Sequence, residues 1–209
     1  MQSAPEIERH PFEPFLPEGA VVLFLGSFPP QPKRWCMEFY YPNWLNDFWR
    51  VCGLVFYQDR DHFVLAGEKR FNLPAIQAFC REKGIALFDT ATAVRRLQDN
   101  ASDKFLEVVE PTDITALLDR IPSCAAVVTT GQKATDVLTE RYGCAAPAVG
   151  ESVEIRIGGR SLRFFRMPST SRAYPLSLDR KAAAYRGLFE ALGLVKRYRI
   201  SILTNMLLV

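Results

Sequence analysis

Apolar residues along the chain fall into short continuous runs separated by stretches with helical spacing. The first run, Val21 to Leu25, stops at Gly26-Ser27-Phe28-Pro29-Pro30. Unbroken apolar runs of this length are what a strand buried on both faces of a parallel sheet requires. Similar runs at 85–88 and 124–129 predict two more strands. Leu45, Phe48, Trp49, Cys52 and Val55 recur on one face of a helix over 43–55. Pro74 suits the first turn of a helix near 73–83 that Gly84 ends. Further helices are expected over 112–120, stopped by Pro122, and over 131–141. Gly158-Gly159 between Val153–Ile157 and Ser161–Arg166 reads as a hairpin. Ser177 caps a last helix that runs to about Leu192, with Asp179 in its first turn and Gly193 at its end. Strands alternating with helices predict an α/β fold in three layers, α/β/α, around a central, mostly parallel sheet of four to five strands.

Three segments follow from this pattern. Residues 1–19 carry four prolines and no periodicity and read as an extended N-terminal arm. Residues 20–195 form one domain, and 196–209 a C-terminal arm. Ile200 to Val209 is apolar but too short to span a bilayer. It either packs on the body or forms a weak homodimer contact, and both readings stay open.

Composition narrows the function little. In 209 residues, 48% are hydrophobic, 23% are charged and the net charge is +3, with a sequence pI near 8.6. Binding to nucleic acid would have to rest on a local basic patch. Cys36, Cys52, Cys80, Cys124 and Cys144 are scattered, and no Cys-x-x-Cys occurs. A zinc site or an iron–sulfur cluster therefore lacks a ligand frame, and no metal or cofactor is expected. Cys52, Cys80 and Cys124 lie among apolar residues and read as reduced core thiols of a cytoplasmic protein. The N-terminus has no apolar stretch of signal-peptide length, and no membrane association is expected.

The candidate chemistry clusters after the first strand. A buried parallel strand that ends in a Gly/Pro turn delivers its next residues to the carboxyl edge of the sheet, where open α/β folds bind ligands. Rings at Phe39 and Tyr41 follow this turn, and then Asn46-Asp47-Phe48-Trp49. Residues 20–49 resemble the first motif of the uracil-DNA glycosylase superfamily, and most closely its mismatch-specific and hypoxanthine-specific branches. Gly84 to Thr90, continuing to Val94-Arg95-Arg96, resembles the base-recognition strand of that superfamily. Met167-Pro168-Ser169-Thr170-Ser171-Arg172-Ala173 resembles its minor-groove loop. With Thr130-Gly131-Gln132-Lys133-Ala134 between them, the resemblance spans about residues 20–192.

The resemblance implies a monofunctional DNA glycosylase that hydrolyses the bond to a deaminated base, hypoxanthine or uracil. Its partner would be DNA containing the damaged base. Gly26, Ser27, Phe28 and Pro29 would hold the base carbonyl, and Tyr41, with Phe39, would stack on the base. Asn46 would orient a water, although it could instead only cap the loop; Asn43 is the weaker candidate. Asp89 stands where uracil-specific relatives carry Asn. An ionised Asp only accepts hydrogen bonds, whereas a protonated one would restore a donor. A plain ion pair from Asp89 to Arg95 or Arg96 is the other reading. Pro168, Ser169, Thr170, Ser171 and Arg172 would contact DNA, and Lys133 beside Gly131 suits a phosphate. Trp44, Phe48 and Trp49 read as core. Phe28 and Met167 replace two catalytic side chains of the family. They leave open a DNA-binding relative that has lost catalysis, and neither His10 nor His62 falls in a motif to compensate. An unrelated hydrolase would need a nucleophile or metal site that the sequence does not show.

Overall fold

The computed structural model describes residues 5–98 and 103–196. Its central sheet has the order β3-β2-β6-β8-β7. The strands are β2 (Val22–Gly26), β3 (Ile85–Asp89), β6 (Ala126–Thr130), β7 (Ser152–Ile157) and β8 (Arg160–Met167). β3, β2, β6 and β8 run parallel, and β7 joins the edge antiparallel to β8. Every residue of β2, β3 and β6 is buried, as the unbroken apolar runs require.

Helices cover both faces. Phe24 of β2 packs on Phe48 of α1 (Phe48–Tyr57) and Phe189 of α5 (Leu178–Ala191). Phe56 of α1 meets Phe79 of α2 (Leu73–Lys83) on the same side. Thr129, which is in register with Leu25 and therefore points to the opposite face, bonds through its hydroxyl to Thr135 of α4 (Gln132–Tyr142) at 2.8 Å. The three-layer α/β/α expectation thus holds. The short helix α3 (Ile114–Asp119) starts at Asp113, whose side chain accepts from Ala116 N. Gly158 and Gly159 have φ of 57° and 78°, the conformation a two-residue hairpin turn demands and glycine alone adopts readily.

Two expectations change. The first helix begins at Phe48, not at 43, and Leu45 lies half exposed outside it. Asn43 and Asn46 turn their side-chain carbonyls onto the amides of Leu45 and Phe48, each at 2.9 Å. These local bonds compete with helix formation. A second, antiparallel sheet, β1-β4-β5, also stands beside the first. It consists of β1 (Ile7–Arg9), β4 (Ala91–Arg96) and β5 (Leu106–Pro111). The arm is therefore partly a strand, and Phe15 continues the attachment through a bridge to Leu87. The C-terminal arm and the dimer contact assigned to it fall outside the described residues, except for Lys196.

Asp47 precedes α1 without capping it, because its carboxylate faces Lys181 of α5. Lys181 is 1% exposed, and its Nζ lies 2.8 Å from Asp47 Oδ2 and 2.8 Å from the carbonyl oxygen of Ser171. Among the described residues, no helix is long and apolar enough to cross a membrane. The thiols of Cys52, Cys80 and Cys124 are buried and free, and burial pushes all three up, so they stay protonated.

Lys181→Met leaves the Asp47 carboxylate buried without its cation. We predict a loss of about 3–5 kcal/mol in stability, the usual penalty for breaking a buried pair from one side. Urea denaturation of the variant, beside the Lys181→Met/Asp47→Leu double variant, checks this. The double variant should recover much of the loss, and equal instability of the two would contradict the assignment.

Candidate active site

A cavity of about 260 Å³ opens at the carboxyl ends of β2, β3 and β6. The register places Gly26 beside Asp89, so the first turn and the second block meet at one edge. Gly26 is required there, because any Cβ would run into Asp89 Oδ1. The turn from Gly26 to Pro30 forms one wall, with Tyr40, Tyr41 and the 42–46 loop on a second. Ser169 to Ala173 form the rim, and Arg34 and Arg172 bring positive charge to it.

Three contacts bind the loop walls together. Asp47 N donates to Thr170 O at 2.9 Å, Asn46 forms a bridge with Ser171, and Lys181 reaches both Asp47 and Ser171. Arg172 adds a longer ion pair to Asp47 at 3.8 Å, with half of its side chain still in solvent. The rim hydroxyls are oriented locally. Ser169 Oγ accepts from Ser171 N, and Ser171 Oγ accepts from Ala173 N. A hydroxyl that accepts from an amide keeps its own proton to donate.

Most of the sequence candidates converge here. Gly26, Ser27, Phe28, Pro29, Tyr41, Asn46, Asp89, Ser169, Thr170, Ser171 and Arg172 all line the cavity. Pro168 does not; its carbonyl accepts from the buried Tyr185 hydroxyl at 2.9 Å. Lys133 also lies outside the lining, in the first turn of α4, although Gly131 just before it packs against Ser169.

Several side chains are already engaged. Asn46 Oδ1 holds the Phe48 amide, so part of its acceptor capacity goes to the helix start. One face of the Tyr41 ring stacks on Phe48, with centroids 3.9 Å apart and an interplanar angle of 12°, and its hydroxyl bonds Thr130 at 3.1 Å. Its backbone has a φ of 52°, which is uncommon for a non-glycine residue. Phe39 is buried, packed edge-on to Phe15, and is a core residue without access to the cavity. Phe48 and Trp49 are core as expected, while Trp44 packs partly buried against Phe71. Phe28 joins a small apolar cluster with Ala91, Val94 and Leu106. Met167 is 1% exposed and presents nothing to the cavity.

Asp89 has neither of the arginine partners considered for it. Arg96 is held by Glu8, with both contacts at 3.0 Å, and donates to Pro29 O at 3.1 Å, which pins the first turn. Arg95 pairs with Glu107. The partner of Asp89 is His10, whose Nε2 lies 2.9 Å from Oδ2. The ring is enclosed by Phe28, Phe88 and Tyr40, and its side chain is 4% exposed. Nδ1 lies 3.1 Å from the Phe12 amide. Nδ1 is closer still to the Phe12 carbonyl oxygen, at 2.8 Å, and the carboxylate oxygen of Asp89 accepts from an N–H at Nε2. An imidazole is therefore present after all, and it comes from the arm. Nothing in the sequence around His10 signals this, because the contact is made across 79 positions.

A second carboxylate also escaped the sequence reading. Asp103 lines the cavity, and its Oδ2 accepts from Ser27 Oγ at 2.7 Å. Burial pushes its carboxyl up, and the Ser27 bond partly offsets this. Burial also raises the phenols of Tyr40 and Tyr41, so both remain protonated at neutral pH. Among the described residues, no group of three or more His, Cys, Asp or Glu side chains could hold a metal ion.

No protein-family model matches the chain, and no curated protein matches it in sequence. Among solved structures, it is similar to the solution NMR structure of a "putative uracil DNA glycosylase" from Methanosarcina acetivorans. The two are 21% identical with a TM-score of 0.59, over 90% of this chain and 99% of the other. The strand order, the cavity at the parallel strand ends and this likeness agree: the chain has the uracil-DNA glycosylase fold.

Proposed function

We propose that the chain is a monofunctional DNA glycosylase that removes a deaminated base, hypoxanthine or uracil. The observation that carries this reading is the convergence of four separated sequence blocks on one small cavity at the sheet edge. The cavity is below the size usual for drug-like ligands and suits a single heterocycle. The Methanosarcina structure, described as a "putative uracil DNA glycosylase", supports the same class.

In this reading the target nucleotide leaves the duplex and enters the cavity, at a cost of a few kcal/mol for unstacking. Arg172 fills the space it vacates, while the Ser169 and Ser171 hydroxyls donate to flanking phosphates. Arg34 and Lys133 add positive charge along the same edge. The base lies between the Gly26–Pro29 turn and Tyr41. Asp89 Oδ2 is tied to His10, so Oδ1 is the acceptor for a base N–H. Asn46 orients the attacking water through its remaining lone pair. No lysine lines the cavity among the described residues, so water rather than an amine takes the sugar, and no β-lyase step follows.

A non-catalytic DNA-binding relative is the second reading. It is favoured by the commitment of Asn46 Oδ1 to Phe48 N, together with the apolar Phe28 and the buried Met167.

Labelled duplexes containing hypoxanthine, uracil or xanthine, followed by alkaline cleavage, separate the two readings. The expected result is release of one base by the wild type, with a loss of about 10²–10³-fold in Asn46→Ala, comparable to deleting a positioned polar group in an active site. Binding without release of any base would leave the second reading.

The Asp89 assignment has its own test. In Asp89→Asn, His10 Nε2–H keeps the amide oxygen and turns the amide NH₂ toward the cavity, replacing an acceptor with a donor. Excision should fall about 10- to 100-fold, in keeping with 1.5–3 kcal/mol for a hydrogen bond to a charged group. His10→Ala in the same background frees the amide to flip and should restore part of the rate. An unchanged rate in Asp89→Asn would remove Asp89 from base recognition.

A further inference from the structure

We propose that Asp103 is the catalytic carboxylate of this cleft, taking the proton of the attacking water that Asn46 orients. This rests on the glycosylase reading and assigns a role that none of the four matched blocks supplies.

The other side chains around the cavity are poorly suited to the task. Phe28 has no polar atom. Asn46 is not basic, and its carbonyl already holds Phe48 N. Asp89 is tied to His10 through Oδ2, while Oδ1 lies against Gly26. The phenols of Tyr40 and Tyr41 stay protonated.

Asp103 differs in three respects. It lines the same cavity as Asn46 and Asp89. Ser27 fixes one of its oxygens from the first turn, the segment that would hold the base, which leaves Oδ1 for a water. Among the described residues it has no ion-pair partner within 4.0 Å, so its charge is not neutralised by contact. The charged groups around it are Asp89 at the end of β3, Arg96 at the end of β4 and Lys133 at the start of α4. Burial is the largest influence and raises the carboxyl, Asp89 adds to this, and Ser27, Arg96 and Lys133 oppose it. A carboxylate displaced toward neutrality is a stronger base for proton transfer than an ordinary one. The developing positive charge on the sugar is also stabilised by a negative group held beside it.

The step balances simply. The water oxygen forms a bond to sugar C1′, and the C1′–N bond breaks with its electron pair going to the base. The water proton passes to Asp103 and then to solvent, and the departing base anion takes a proton from solvent. One water is consumed, and the products are the free base and an abasic site.

Single-turnover excision by wild type, Asp103→Asn, Ser27→Ala and Asn46→Ala tests the proposal. Binding to a duplex carrying a tetrahydrofuran abasic analogue is measured alongside. Asp103→Asn should lose about 10²–10⁴-fold in rate, the usual contribution of a general base, with binding retained. The wild-type rate should fall as pH drops through the raised Asp103 titration, and the residual rate of Asp103→Asn should lack this limb. Ser27→Ala removes a bond that lowers the carboxyl, so its midpoint should move to higher pH. That shift carries the test if Asp103→Asn does not fold. A wild-type rate and pH profile in Asp103→Asn, or an unmoved midpoint in Ser27→Ala, overturns the proposal while leaving the glycosylase reading intact. A wild type that binds DNA but releases no base overturns both.

Discussion

The buried contact between Lys181 and Asp47 is the constraint on which the site depends. One ammonium group joins the start of α1, the helix α5 and the carbonyl of the Ser169–Arg172 rim. An amine enclosed this deeply needs a carboxylate and further acceptors to offset its lost hydration, and it draws the three segments together to obtain them. Two loops that are far apart in sequence thereby become facing walls of one cavity. Asp47 gives up the capping role its position would otherwise allow, and the loop before α1 supplies its own turns through Asn43 and Asn46.

The second constraint lies at the sheet edge. Gly26 and Asp89 are register partners on adjacent parallel strands, and the carboxylate lies where a side chain on residue 26 would have to go. Close approach of a ligand to the turn backbone and close approach of Asp89 use the same missing Cβ. Arg96 reinforces this edge by pairing with Glu8 of the arm while donating to Pro29. The small antiparallel sheet therefore does more than extend the structure; it holds the turn and the recognition strand in place.

What the sequence made legible follows from how local each signal is. The buried runs of β2, β3 and β6, the Gly158-Gly159 hairpin and the Ser177 cap are written within a few residues, and all were readable. The start of α1 was misplaced, because the spacing of Leu45 with Phe48 and Trp49 fits a helix while the asparagine turns around it do not. The sheet β1-β4-β5 was hidden for another reason. Arg95 and Arg96 interrupt the alternation expected of a strand, irregular register shifts fall between Ala91 and Val94, and the pairing partner lies in a proline-rich arm. The site was legible wherever a motif carried it. His10 and Asp103 were not, since each is defined only by a partner in another segment, Asp89 in one case and Ser27 in the other.

The position of His10 also bears on the order of events during synthesis. Residues 7–15 leave the ribosome well before the residues they must contact, Leu87, Asp89 and Val94 among them, which are made some eighty positions later. Long-range pairing of this kind pays its loop-closure entropy before it gains any contact. Residues made before their partners are thus among the last to find their place, and the cavity reaches its finished chemistry only when residues 7–15 return to close behind it.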